Sequence, residues 1–345
     1  MGKNGCHLNK SMKEEKKFIM VSIRCLVYNH EPYLRQCLDG FIKQKTNFNF
    51  EAIIHDDAST DGSAVIIREY ADRYPDIIKP IFEKENQYSK GGMFINDIMN
   101  DACKGKYFAL CEGDDYWIDE HKLQKQVDFL ETHCEYGLCY TNFNIQNDVL
   151  NKKYYSLFST APQQYPRTCS NIEDWLLHSY YLAPMTWLVR KELWLDRPII
   201  DSLDGTFVLY ASFLHKTKVY CMDDVTAVYR RIPESAASTG SPEKIYKRQK
   251  NLHNVRLKLA KMYLTEPQIK EIGRKIDELY YRTTLTTFVV LGKYDEIKEA
   301  RKILGKGNTM KQKLLLKLPT NNFFTSIMGL LYKLAYHFKV EYERR

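Results

Sequence analysis

The stretch Tyr107-Phe108-Ala109-Leu110-Cys111-Glu112-Gly113-Asp114-Asp115-Tyr116-Trp117 runs from an apolar, β-type segment straight into three carboxylates within four residues. Carboxylates this close repel one another at neutral pH unless a cation or hydrogen-bond donors compensate. An acidic turn at the carboxyl end of a strand is where an open α/β sheet holds its ligand. Hard carboxylate oxygens suit Mg²⁺ or Mn²⁺, ions usually held by one or two carboxylates together with substrate phosphates. The pattern points to an enzyme that handles a nucleotide diphosphate.

Upstream of this stretch, residues 18–28 form a dense apolar run of the kind that makes a buried parallel strand. Asn29 to Pro32 is a turn, and Pro32 sits where a first helical residue belongs, ahead of a stripe of Leu34, Cys37, Leu38, Phe41 and Ile42. A second strand, Glu51 to His55, ends in Asp56-Asp57, and Ser59-Thr60-Asp61-Gly62-Ser63 opens another helix. A third strand is expected over 77–82, then a helix over 92–104 and a strand over 106–111. Strands alternating with helices at this spacing predict βαβ units and a parallel sheet. Right-handed crossovers then bring both acidic turns to one sheet edge.

Downstream, Asp119 is placed to cap a helix reaching about Thr132, with Leu123, Val127 and Leu130 inward. Strands are expected near 137–143, 184–190 and 217–222, and a helix over 205–215. After Arg231 the pattern turns helical, over 242–264, 266–290, 294–304 and from Thr320 onward.

The 345 residues, 44 % hydrophobic and 13 % aromatic, describe a globular chain rather than a disordered one. The net charge of +8 is uneven, with +13 in residues 241–345 and −5 before them. No nucleic-acid module signature accompanies the basic tail, so nucleic acid is not an expected partner. Nine cysteines without C-x-x-C spacing, several inside apolar runs, read as reduced thiols and argue against a zinc site. Residues 1–17 are polar, without an apolar signal core, and no run of about 18 apolar residues occurs. These features lead us to expect a flexible lead-in over 1–17, a catalytic domain over 18–240, a basic helical region over 241–345 and a cytoplasmic location.

On these residues the chain resembles family-2 inverting glycosyltransferases of the GT-A, nucleotide-sugar type. Val27-Tyr28-Asn29-His30-Glu31 resembles their first-strand signature, and Asp56-Asp57-Ala58-Ser59-Thr60-Asp61-Gly62 resembles their nucleotide loop. Ala102 to Tyr107 leading into Glu112-Gly113-Asp114-Asp115 resembles their metal motif, with Glu112 where the family usually has Asp. The match is strong over residues 19–135, weaker beyond 140, and fades after about 240. It implies an α/β fold, a GT-A Rossmann-like mostly parallel sheet flanked by helices, with a helical C-terminal extension.

The resemblance also implies roles. Asp57, with Asp56, reads the base, and a carboxylate suits N3–H of a pyrimidine, which makes a UDP-sugar the expected donor. Tyr28 and Glu31 are further donor-site candidates. Asp114 approaches the ribose or the metal, and Asp115 binds Mn²⁺ or Mg²⁺, which neutralises charge on the departing diphosphate. Gly113 lets backbone approach the ligand. Inversion needs a general base for the acceptor hydroxyl, for which Asp204 is the first candidate and Asp201 the second.

Each residue also has a plainer reading. Asp57 sits in a capping cluster, Asp204 would serve equally well as an N-cap, and Asp114-Asp115 reads alternatively as a solvated turn. Trp117 lines the sugar pocket or simply packs. In Tyr229-Arg230-Arg231 an exposed, salt-bridging arginine is the favoured reading over a diphosphate contact. His30, His55 and His121 lack metal-ligand spacing and read as structural.

The acceptor is expected to be a polysaccharide or lipid-linked glycan. The last segment, with Phe324, Ile327, Met328, Leu331, Leu334, Ala335 and Phe338 flanked by lysines, is expected to dock on the domain. Weak peripheral contact with the inner face of the membrane is the alternative. Two rival functions are a sugar-phosphate nucleotidyltransferase and a non-catalytic glycan-binding member of the fold. The first wants a Gly-rich, basic loop after the first strand, where this chain has Asn29-His30-Glu31-Pro32; the second would have lost the paired carboxylates.

Overall fold

A computed structural model describes residues 18–90, 93–148, 150–161, 171–178, 183–232 and 241–317. The lead-in over 1–17 and the segment from Thr320, with Phe324 to Phe338, lie outside the described residues.

The chain begins with β1 (Ile19–Val27), α1 (Glu31–Ile42), β2 (Asn49–Asp56), α2 (Ser63–Arg73), β3 (Ile78–Phe82), α3 (Met93–Ala102) and β4 (Tyr107–Leu110). These are the units that the apolar runs and caps predicted. Val21, Ile23, Cys25 and Val27 of β1 are buried, and α1 buries Leu34, Cys37, Leu38 and Phe41 as its stripe requires. β1 pairs in parallel with both β2 and β4, and β2 with β3.

The middle of the chain supplies β5 (Tyr116–Trp117), α4 (Lys122–Thr132), β6 (Tyr136–Asn147), β7 (Lys152–Tyr154), α5 (Leu157–Thr160), α6 (Ile172–His178), β8 (Leu188–Arg190), α7 (Lys191–Leu195), α8 (Gly205–Lys216) and β9 (Lys218–Arg231). The strand order is β3-β2-β1-β4-β8-β6-β9-β5, with β7 added beside β6. β8 lies antiparallel to both β4 and β6, so β6 runs with β4, and β9 is parallel to β6. The carboxyl ends of β1, β2, β4, β6 and β9 therefore meet at one edge. Antiparallel partners enter only in this second half, where β8, β5 and β7 are strands of three residues or fewer. The segment expected as strand over 184–190 spends Pro184–Thr186 in a 3-10 turn, because Pro184 has no N–H to give a ladder.

The chain continues as α9 (Pro242–Tyr263), α10 (Glu266–Val290), α11 (Tyr294–Leu304) and α12 (Met310–Lys317). Val255 and Leu259 of α9 and Ile272 and Ile276 of α10 belong to the main hydrophobic core. Tyr280, Leu285, Phe288, Val289, Ile297, Ala300 and Leu316 form a second, smaller core.

The entry to β4 is fixed by a buried polar knot. The Ser22 hydroxyl donates to Glu51 Oε1 at 2.7 Å, and the backbone N–H groups of Lys104 and Gly105 donate to Glu51 Oε1 and Ser22 Oγ, each at 2.8 Å. A Cβ on Gly105 would lie 2.4 Å from the Ser22 nitrogen and 2.7 Å from the Val21 carbonyl carbon, both of them backbone. Gly105→Ala is therefore expected to lower stability by about 2 kcal/mol, read as a lower urea midpoint at unchanged slope.

Candidate active site

The first two loops at the shared edge are knitted together. Asn29 adopts φ +56° and Ala58 φ +61°, a region L residues rarely occupy. The Asn29 N–H donates to Ser59 Oγ at 3.0 Å, and its carboxamide oxygen accepts from the Thr60 N–H at 2.8 Å. Asp61 accepts from the backbone of Glu31 at 3.0 Å and of Ser63 at 2.9 Å, so one carboxylate serves the starts of both α1 and α2. Desolvation alone would raise the Asp61 carboxyl, but its hydrogen bonds with Ser63 and Glu31 outweigh it and hold it below the usual range. Glu31 returns the contact, accepting from the Gly62 N–H at 2.7 Å. Its carboxylate is thus engaged in joining two loops. Tyr28, at the end of β1, is exposed.

Asp56 and Asp57 are both buried at the end of β2. Asp57 Oδ1 accepts from the Gln87 N–H at 2.6 Å and Oδ2 from the Tyr88 N–H at 3.0 Å, so it draws the segment after β3 across the loop. Asp56 Oδ1 is buried without a hydrogen-bond partner.

The acidic turn is pinned from beneath. The N–H groups of Cys111 and Gly113 donate to the carbonyls of Arg24 and Leu26, extending the pairing with β1 past the end of β4. A Cβ on Gly113 would lie 2.8 Å from His30 Nδ1 and 3.0 Å from Val27 Cγ2. Glycine is required there by internal packing, whatever its backbone does toward a ligand.

The principal surprise is Arg230. It is 3 % exposed rather than the surface residue expected from the sequence. Its backbone N–H donates to Asp115 Oδ1 at 2.8 Å, Nη1 donates to the Asp114 carbonyl at 2.7 Å, and Nη2 donates to Gln36 Oε1. The guanidinium lies between the rings of Tyr33 and Tyr116, 4.9 and 4.6 Å from their centroids. A surface reading fails because β9 is longer than its apolar run suggested and carries Arg230 beneath the turn. No local signal could have found this, since Arg230 lies more than a hundred residues from the carboxylates it serves.

Burial pushes the Asp115 carboxyl well above its usual range, and Asp114 and Glu112 push it further, against the Arg230 N–H and charge. Desolvation and then Asp114 also raise Glu112. Its side chain is exposed, so water moderates that effect. Asp114 Oδ1 is buried and has no hydrogen-bond partner. Among the described residues no group of three or more His, Cys, Asp or Glu side chains is arranged to hold a metal by itself. One or two carboxylates with substrate phosphates completing the shell is the arrangement hard divalent ions commonly use, and the unpartnered Asp114 oxygen beside buried Asp115 fits it.

Asp204 caps α8, its Oδ1 accepting from Thr206 Oγ1 at 2.7 Å and the Phe207 N–H at 3.2 Å. Its Oδ2 lies 3.8 Å from Arg248 Nη2. Asp201 is exposed, and its carbonyl accepts from Asn251. Asp224 pairs with Lys125.

Trp117 packs rather than lining an open pocket. It is buried edge-on against Phe41, and Nε1 donates to the Met185 carbonyl at 2.8 Å. Over its ring, 4.3 Å away, sits the ammonium of Lys122, fully buried and donating to Gln126 Oε1 at 2.7 Å. Gln126 in turn donates to the carbonyls of Cys139 and Thr186. Asp119 does not cap this helix as expected: the N-cap is His121, without a side-chain cap, and the Asp119 carboxylate accepts from the His121 N–H ahead of it and from Lys125.

The sequence model of glycosyl transferase family 2 matches residues 22–194, half of the chain. The chain belongs to this family. An uncharacterized protein of Mycobacterium tuberculosis is 48 % identical over 122 residues, 35 % of this chain and 34 % of the relative. The Escherichia coli UDP-Glc:alpha-D-GlcNAc-diphosphoundecaprenol beta-1,3-glucosyltransferase WfaP is 31 % identical over 144 residues, 42 % of this chain and 53 % of the relative. The match thus spans about a third to a half of the length of these relatives. The fold is similar to Staphylococcus aureus TarS 1–349 solved with UDP-GlcNAc, with TM-score 0.58 and 17 % identity over 86 % of this chain and 84 % of that one. The chain accordingly carries a glycosyl transferase family 2 domain in a GT-A fold.

Burial pushes the Lys122 ammonium down to about 7 from its ordinary 10.5. Between those values the unfolded chain binds more protons than the folded one, so stability rises with pH across this window. Thermal melts from pH 7 to 10.5 should show a smaller rise for Lys122→Met than for the wild type.

Proposed function

We propose that the chain is an inverting transferase that moves a hexose from a nucleotide-diphospho-sugar, a UDP-sugar, to a hydroxyl of a polysaccharide or lipid-linked glycan. The observation that carries this reading is buried Asp115 beside half-buried Asp114, held by Arg230 at the shared carboxyl edge, with an Asp114 oxygen left unpartnered. In this reading Asp56 and Asp57, at the end of β2 on the same sheet edge, read the base. Asp57 does so while holding the Gln87–Tyr88 segment, and the unpartnered Asp56 Oδ1 supplies a further acceptor.

Asp114, with Asp115 behind it, would hold Mn²⁺ or Mg²⁺. Such an ion, when bound, supplies Lewis-acid stabilisation of the departing nucleotide diphosphate. Arg230, through its hold on the Asp114 carbonyl and the Asp115 carboxylate, keeps both side chains at the edge. Asp204 takes the acceptor hydroxyl's proton at Oδ2, since its Oδ1 is committed to the cap. Attack of the deprotonated oxygen opposite the leaving group forms the new glycosidic bond and inverts the anomeric carbon. Asp201 is the reserve base.

The relative named for a diphosphoundecaprenol acceptor supports a lipid-linked glycan as the acceptor class, and with it a place at the cytoplasmic face of a membrane. Among the described residues no helix is long and apolar enough to cross a membrane. The nucleotidyltransferase rival is disfavoured because the turn after β1 is occupied by the loop-joining contacts of Asn29 and Glu31.

Two measurements test this. Calorimetric titration of UDP and then GDP, with and without Mn²⁺, should show Mn²⁺-dependent UDP binding that Asp114→Asn and Asp115→Ala abolish. Absence of UDP binding rejects the UDP-sugar donor, and GDP binding redirects it. Asp204→Asn keeps the cap, since Asn caps as well as Asp. It should retain stability and UDP binding while turnover falls about a hundredfold or more; unchanged turnover leaves Asp204 a cap alone.

A further inference from the structure

We propose that the segment that follows β7 carries the subsite for the acceptor sugar, with the exposed ring of Tyr155 as its stacking surface. The inference rests on the transferase reading above and assigns the acceptor side of that same site.

The hairpin of β6 and β7 grows from the strand pair that holds the acidic turn. Gln146 and Asn147 of β6 lie in register with Arg230 and Arg231 of β9. Past the end of β6, Asp148 approaches Arg230 Nε at 3.9 Å and accepts from Gln146 Nε2 at 2.8 Å. The registers also set a row across the sheet. Tyr116 is opposite Val228, Val228 is opposite Asn144, and Asn144 accepts from the backbone next to Tyr155. At one strand spacing per step, Tyr155 stands roughly 15 Å from the Tyr116 backbone. The Tyr116 side chain reaches across part of that distance, its hydroxyl donating to Gln146 Oε1 at 3.2 Å. Tyr155 contributes to the electrostatic field at that hydroxyl.

The ring is held outward by design of the segment that follows it. Ser156 adopts φ +50°, a strained conformation for a residue with a side chain. Two amides from within β6 hold it: Asn142 Nδ2 donates to Ser156 Oγ at 2.9 Å, and the Ser156 N–H donates to Asn144 Oδ1 at 2.8 Å. Asn142 also accepts from the Phe158 N–H, and Leu157 and Phe158 are buried. Asparagine is a poor strand former, so placing two in a central strand favours this anchor over local pairing. Against that fixed base Tyr155 is 61 % exposed. An exposed aromatic beside Asn144, with an amide, Gln146, and a carboxylate, Asp148, two and four residues further along the chain, offers groups for the two sides of a sugar ring. Its C–H face lies on an aromatic, and its hydroxyls bond to amides and carboxylates.

The test uses the full chain with UDP and Mn²⁺, probed with methyl β-glucoside and methyl N-acetyl-β-glucosaminide by saturation-transfer NMR. Wild type and Tyr155→Trp should transfer saturation to the pyranose ring protons of at least one glycoside. Tyr155→Ala should lose about fivefold of that signal, the scale of one aromatic contact, with UDP affinity by calorimetry unchanged. The proposal is overturned if no glycoside gives a wild-type signal, if Tyr155→Ala keeps it, or if Tyr155→Ala loses UDP binding in step. The donor reading fails separately: glycoside binding through Tyr155 without any nucleotide binding rejects the donor and leaves the subsite standing.

Discussion

A buried carboxylate, Asp115, next to a half-buried one, Asp114, is unstable unless something answers their charge, and Arg230 answers it. The backbone of Arg230 satisfies Asp115, its guanidinium satisfies the Asp114 carbonyl, and its remaining nitrogen reaches Gln36 on α1. One residue thereby ties β9, the acidic turn and the first helix. The rest of the edge is arranged around that tie. β5 exists as a strand because the turn delivers Tyr116 and Trp117 to β9, and the β6–β7 hairpin is placed because β6 pairs with β9 along its length. A partly compensated acidic pair is what a cation-dependent site needs, since full neutralisation by protein groups would leave nothing for a ligand.

The second organising device is exchange of hydrogen bonds between loops that follow different strands. Asp61 binds the Glu31 backbone, Glu31 binds the Gly62 backbone, Asn29 binds the Ser59–Thr60 pair, and Asp57 binds the segment after β3. Each loop is ordered by residues from another. The strained φ values of Asn29 and Ala58 persist because these contacts over-determine the backbone there. Several residues read from sequence as ligand contacts therefore also build the site's frame.

Much of this was legible in the chain. The first four strands, the helices between them and the helices from Pro242 to Leu304 match the expected spans to within a few residues, because their apolar stripes are long and periodic. Short elements such as β5 and β7 escaped, since two or three residues cannot show a period, whereas β8 falls inside the strand expected over 184–190. Asp204 was legible as a cap, and its capping bonds are present. Arg230 was misread because local sequence gives the chemistry of an arginine but not its depth.

By itself the sequence determined the parallel βαβ start, the two acidic turns and the family to which they belong. These are properties of contiguous residues, in which hydrophobic period and turn chemistry act over a few positions. Tertiary structure alone decided that a strand more than a hundred residues downstream supplies the counter-charge beneath Asp114 and Asp115. It also decided that Trp117 packs against Phe41 and that Lys122 is buried over its ring. Burial and partner choice depend on which strands become neighbours, and that pairing is fixed by the folded sheet as a whole rather than by any local run of residues.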